Sequence, residues 1–222
     1  MDLALAYALR AKLEADDKSI TDMQFLSLTH SAGKAKVAML EDESMNEFPI
    51  AVPTRGSSLL GNTLSTTLDR QTVEQIVLNG FFATTSVDDL PQKARRTGLQ
   101  EFGLPYAADP VISKHLARFL TRSLENVRSS ETLSALVSPE LRSKSFLAPT
   151  AVLFNGGVFK AAALRRRVIE LLTAWNEGQP VRELAGHEPD LAVAKGASFY
   201  GRNRITGKGI RIKAGASRSY YI

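Results

Sequence analysis

The chain has 222 residues, 44% of them hydrophobic, a mean hydropathy of −0.10 and no cysteine. This is enough apolar material for one large domain or two small ones, and it excludes disulfides and thiolate chemistry. The formal charge of +5 is unevenly spread, −6 over residues 1–91 and +11 over residues 92–222, and no apolar run approaches membrane-spanning length.

Acidic Asp2 and an amphipathic pattern follow Met1, so no secretory leader is legible. Together with the absence of cysteine this points to a cytoplasmic location. The basic portion suits nucleic acid or a phosphorylated ligand. A solvated basic surface is the simpler account of a split of this size.

Residues 2–16 read as a helix, because Leu5, Leu9 and Leu13 repeat every fourth position and Asp2 suits its positive end. A longer helix follows over 21–40, with Phe25, Leu28, Ala32, Ala35 and Met39 on one stripe and Gly33 as its weak point. Residues 48–53 read as a strand whose Pro49 and Pro53 favour a sheet edge. Residues 59–67 read as a second strand. Asp69 or Arg70 then opens a short helix reaching Leu78.

Residues 81–107 are rich in turn formers and weakly periodic, which marks a long excursion. Asp109-Pro110 opens the next helix, with Pro110 at its first position. Its expected buried face is Ile112, Leu116, Phe119, Leu120 and Leu124. Residues 129–145 read as helical turns and loop. An apolar strand at 152–155 runs into Gly156-Gly157 and then a helix over 161–175, buried through Leu164, Val168, Leu171, Leu172 and Trp175. Gly178 and Pro180 end it. A last helix is expected from Glu188 to Tyr200, closed by Gly201. Residues 210–213 alternate like a strand, and 219–222 form a candidate for another.

The Gly156-Gly157 turn carries the clearest chemical signal. Glycines at the end of a strand let a ligand approach the backbone, because no Cβ intervenes. In open α/β sheets ligands bind at that end of the strands, and the helix that follows presents N–H groups suited to an anion or ribose-phosphate. No Gly-Lys-Ser/Thr follows, so this is not a Walker loop, and the third glycine of a dinucleotide fingerprint is absent. A plain strand-to-helix turn explains the pair as well. Pro189-Asp190 starts a helix by fixing φ and complementing the dipole, which capping alone accounts for. Lys36, taken by itself, is a solvated helix charge.

Four segments in order resemble the second lobe of the nucleotide-binding domain of DnaK-like (seventy-kilodalton heat-shock) chaperones. Met1-Asp2-Leu3-Ala4-Leu5 is similar to a family helix that begins with aspartate. Residues 33–40 resemble the helix whose glutamate, lysine, arginine and serine hold ribose and adenine. Phe154-Asn155-Gly156-Gly157-Val158-Phe159-Lys160 resembles the Gly-Gly-Ser-Thr-Arg segment. Glu188-Pro189-Asp190-Leu191-Ala192-Val193-Ala194-Lys195-Gly196-Ala197 resembles the Asn-Pro-Asp-Glu-Ala-Val-Ala segment. Residues 81–107 have no good counterpart and read as an insertion.

The resemblance implies an α/β fold of the actin-like ATPase (ribonuclease H-like) class. It implies a smaller helix-and-strand subdomain over 1–78, and a larger subdomain over 79–222 built on a mixed sheet with packed helices. It implies ATP or ADP as ligand, held at Lys36, Val37, Gly156, Gly157, Val158, Lys160 and Asp190. Lys36 matches the lysine beside the ribose, Gly156 and Gly157 the pair nearest the nucleotide, and Asp190 the aspartate near the adenosine. Gly33 stands where the family has a glutamate, Val37 and Lys160 where it has stacking arginines, and Leu40 and Val158 where it has serines. Lysine lacks the planar guanidinium that stacks on a base. An adenine here would lie between aliphatic surfaces.

The first lobe, with its own phosphate loop, catalytic lysine and magnesium carboxylates, has no counterpart in the sequence. Phosphoryl transfer needs those groups together. The chain is therefore expected to be part of an ATPase without hydrolysing ATP alone, with magnesium binding only where the first lobe is present. The resemblance also implies that the natural chain continues past Ile222, and that its partners are the rest of that chain and a co-chaperone or exchange factor. The rival readings are a nucleotide-independent interaction module and, with less support, a nucleic-acid-binding domain using Arg165-Arg166-Arg167, the basic stretch 202–218, Tyr220 and Tyr221. A Ser31-Ala32-Gly33-Lys34 match to a hydrolase pattern has no companion motif, and His30, His115 and His187 lack metal-ligand spacing.

Overall fold

The computed structural model describes residues 1–53, 64–92, 108–186, 188 and 191–209. The fold is mixed α and β, dominated by helix. Helix α1 (Asp2–Ala15) buries Leu5, Ala6, Leu9 and Leu13 against Leu28, Ala32, Ala35 and Met39 of α2 (Asp22–Glu41). Removing each such leucine from water contributes roughly 1.5–3 kcal/mol, so the helix pair has a core of its own. Thr21 starts α2 with a reciprocal cap. Its hydroxyl accepts from the Gln24 N–H, and the Gln24 side chain accepts from the Thr21 N–H.

Strands β1 (Glu47–Val52) and β2 (Leu64–Asp69) pair antiparallel and lay Ile50, Val52 and Leu68 onto that core. Asp69 caps the next helix by accepting from the Thr72 N–H at 2.7 Å. That helix, α3 (Arg70–Val73), widens into a π-helix over Glu74–Phe81, which periodicity does not anticipate. Arg70 turns back to the end of α2 and donates to the carbonyls of Met39, Asp42 and Met45. It thereby satisfies helix-end acceptors that would otherwise lack partners.

Helix α4 (Ile112–Ser129) begins later than expected, with Val111 at its cap. The reason is Asp109, whose carboxylate accepts from the Val111 and Gln92 N–H groups and from Lys114. Those bonds fold Asp109-Pro110 into the turn ahead of the helix. The buried face is Ser113, Ala117, Leu120, Leu124 and Val127. Phe119 is 64% exposed rather than buried, because it sits beside that stripe. Short helices α5 (Glu131–Ser134) and α6 (Pro139–Ser143) follow.

Strand β3 (Ala151–Leu153), a 3-10 turn (Gly157–Lys160), helix α7 (Ala162–Trp175) and strand β4 (Arg182–Leu184) form a parallel βαβ unit. Strand β4 is an addition to the expected elements. The described residues form two two-stranded sheets, β1–β2 antiparallel in the smaller part and, where the mixed sheet of the larger part is expected, β3–β4 parallel. Helix α8 (Ala192–Thr206) runs past the expected stop at Gly201 and ends at Gly207, which takes a left-handed φ of 66°. The strands expected at 210–213 and 219–222, and most of the 81–107 excursion, fall outside the described residues.

One continuous core joins the two parts, running from Leu5 and Leu28 through Val77 and Phe82 to Phe154, Leu164 and Leu172. Phe159 packs against Phe154 at 4.9 Å between ring centroids and edge-on to Phe82 at 6.5 Å. Both arrangements suit aromatic pairs.

Candidate functional site

A cleft of about 110 Å³ opens where the end of α2 faces the Gly-Gly turn and the start of α7. Its lining is Met1, Lys36, Val37, Leu40, Glu41, Gly157, Val158, Ala161 and Leu164. Four of the seven expected site residues, Lys36, Val37, Gly157 and Val158, are thus brought together from segments some 120 positions apart in sequence. Gly156 precedes them in the turn at φ 88° and ψ 159°. No atom lies within 4 Å of where its Cβ would stand. Glycine is required there by conformation, not by space.

Lys160 is not among the lining side chains. It reaches across to Glu41 at 3.8 Å. Asp190 lies outside the described residues. The helix expected over 161–175 runs from Ala162 to Trp175, but a 3-10 turn lies between it and the glycines, and Ala161 caps it without a side-chain bond. The α7 N-terminus is therefore displaced from the glycine pair.

Lys36 is the most constrained cation of the site. Its ammonium donates to Asp2 Oδ1 at 2.5 Å and its side chain is 17% exposed. Gly33 makes this possible, since a Cβ there would stand 3.1 Å from Asp2 Oδ2. Where the resemblance leads one to expect a glutamate on α2, this chain presents a carboxylate from α1 instead. Sequence reasoning named Gly33 and Lys36 but not their link to Asp2. No spacing rule joins residues 34 positions apart.

The two walls are tied beyond the cleft. Arg166 pairs with Glu43 at 2.6 Å. Arg167 donates to the Leu78 and Phe82 carbonyls at 3.0 and 2.9 Å, closing the end of the π-helix. Arg165 pairs with Glu183 at 2.9 Å and donates to the Phe159 and Lys160 carbonyls. Arg165 and Arg167 are thus turned inward onto backbone carbonyls, while Arg166 makes a surface ion pair and stays 58% exposed, so the run does not present three unengaged cations to a nucleic acid.

A second, wider hollow of about 510 Å³ lies at the open end of β3 and β4, lined by Phe154, Phe159, Arg165, Glu183, Leu184, Ala185 and Gly186. Its charges are already paired with each other, and none of the expected site residues line it. Among the described residues, no group of three or more His, Asp or Glu is placed to hold a metal, and no helix is long and apolar enough to cross a membrane.

Comparisons with protein-family models, curated proteins and solved structures return no match.

Proposed function

We propose that the chain is the adenosine-side half of the ATP-binding domain of a DnaK-like molecular chaperone, a divergent second lobe of the actin-like class. The observation that carries this reading is the meeting of two distant segments. The α2 residues Lys36 and Val37 and the turn residues Gly157 and Val158 line one cleft, and the resemblance assigns nucleotide contacts to those same positions. The βαβ unit adds weight, since the Gly-Gly turn follows the end of a parallel strand, where α/β proteins bind ligands.

In this reading ATP or ADP lies across the Gly156-Gly157 turn with its base towards α2. Nucleotide binding draws the two lobes of the intact protein together and gates chaperone action. This chain alone does not turn ATP over, because the phosphate- and magnesium-binding groups belong to the other lobe.

A ligand-observed NMR titration with adenosine and ADP tests the assignment. Saturable binding that weakens when Lys160→Glu introduces a negative charge beside the cleft supports it. No binding up to millimolar ligand would count against it. That result would favour an interaction module, for which one observation speaks. Leu3, Tyr7, Met23 and Leu26 are exposed on the outer side of α1 and α2, where Tyr7 packs on Phe25 at 4.8 Å.

A further inference from the structure

We propose, on the basis of the nucleotide reading above, that the cleft takes a purine ring by apolar contact and does not distinguish adenine from guanine. A volume of about 110 Å³ is well below the roughly 300–1,000 Å³ of pockets that enclose a whole drug-sized ligand. A flat ring enters, and the sugar and phosphates stay outside along the turn.

The side chains that meet such a ring are those of Met1, Val37, Leu40, Val158, Ala161 and Leu164. None has a hydrogen-bonding group suited to a base edge. Two charged side chains reach the lining, and each already has an opposite charge. Lys36 is on Asp2 at 2.5 Å, and Glu41 is near Lys160 at 3.8 Å. Part of the wall backbone is occupied as well. Val37 lies within the α2 ladder, and the Ala161 carbonyl accepts from the Leu164 and Arg165 N–H groups at 3.1 and 3.3 Å.

Adenine and guanine have the same ring skeleton and differ in the donors and acceptors on their edges. Telling them apart by large factors requires buried polar groups that one ring pairs and the other leaves unpaired. Among the described residues lining the cleft, the polar side chains are Lys36, held by Asp2, and Glu41, which is 43% exposed and faces Lys160, so neither is a buried group that would pair with one purine and not the other. A pyrimidine has one ring fewer and buries less apolar area, so it binds more weakly.

The test is a titration of the full 222-residue chain with ADP, GDP and UDP at one magnesium and salt concentration, repeated with Val158→Trp and with Val37→Glu. Both positions are about half exposed, so the substitutions spare the core, and circular dichroism checks the fold of each variant. Dissociation constants for ADP and GDP within about threefold, UDP weaker by about fivefold or more, and loss of purine binding in the folded variants support the inference. A tenfold or larger preference for either purine overturns it while leaving nucleotide binding standing. Equal binding of all three, or wild-type binding by the variants, overturns it by placing the contacts on the phosphates or elsewhere. Failure of all three to bind removes the nucleotide reading itself, and the inference with it.

Discussion

Asp2 and Lys36 meet at 2.5 Å across the first two helices, and the missing side chain of Gly33 leaves the space in which that carboxylate sits. The contact brings the start of α1, a helix glycine and a cleft lysine into one arrangement. A residue that weakens α2 as a helix former helps to shape the cleft wall.

This relationship fixes the sign of a substitution. Gly33→Ala gains about 0.8–1 kcal/mol of helix propensity. The new methyl meets only the Asp2 carboxylate at 3.1 Å, on a side chain that is 46% exposed and free to yield. We expect a net gain of roughly 0.5 kcal/mol in urea denaturation, because shifting the half-exposed Asp2 end of a part-buried ion pair costs less than the propensity gained. A loss of stability would mean that Asp2 is held more firmly than its exposure implies.

Arg70 is the keystone of the smaller unit. Its guanidinium is 19% exposed and donates to three carbonyls where α2 ends, at 2.7–3.1 Å. Arg70→Ala leaves those acceptors without the donor, and charge-assisted bonds of this kind contribute about 1.5–3 kcal/mol. A destabilisation of about 2 kcal/mol by thermal or urea unfolding is expected, with Arg70→Lys recovering only part because it lacks the planar fork. Full recovery by lysine would show that charge, not the fork, holds the joint.

Gly156 sits at a φ of 88° that L-residues rarely adopt. Gly156→Ala meets open space, yet is expected to cost about 1–3 kcal/mol through backbone strain. Its effect on Tm should exceed that of Gly196→Ala, where the backbone is helical, the space is equally open, and alanine is the better helix former. Equal effects would contradict the assigned turn conformation.

Asp109 gives the protein an acid-sensitive joint. The N–H groups of Val111 and Gln92, aided by Lys114, hold its carboxyl at about 2, below the ordinary carboxylate value of 3.8. A depressed pKa contributes stability that is fully present above the unfolded value and is lost as pH falls through the folded one. Between about pH 4 and pH 2 the wild type should lose more stability than Asp109→Asn, which has no such proton to take up. Parallel acid-denaturation curves for the two proteins would remove this assignment.

Much of the fold was legible because its signals are local. Leu5, Leu9 and Leu13 mark α1, Leu28, Ala32, Ala35 and Met39 mark α2, and Leu164, Val168 and Leu172 mark α7. Strand β4 was not legible. Arg182, Glu183 and Leu184 are all exposed and exist as a strand only through pairing with β3, which no pattern within three residues encodes. Gly201 was expected to stop the last helix, and the stop falls at Gly207 instead. Only Gly207 takes the left-handed conformation, while Gly201 is carried inside α8. In the site, Lys36, Val37, Leu40, Gly157 and Val158 were named in advance, but their companions Met1, Glu41, Ala161 and Leu164 depend on how α2 and α7 approach each other. That approach is set by tertiary packing.

The most direct measurement is a methyl-resolved NMR titration of the chain with ADP. If a nucleotide base enters between α2 and the Gly-Gly turn, the methyls of Val37, Leu40, Val158 and Leu164 shift together and saturably. Those of Val73 and Leu68, buried in the smaller unit away from the cleft lining, stay in place. Shifts confined to methyls outside the cleft, or none up to millimolar ADP, would contradict the account.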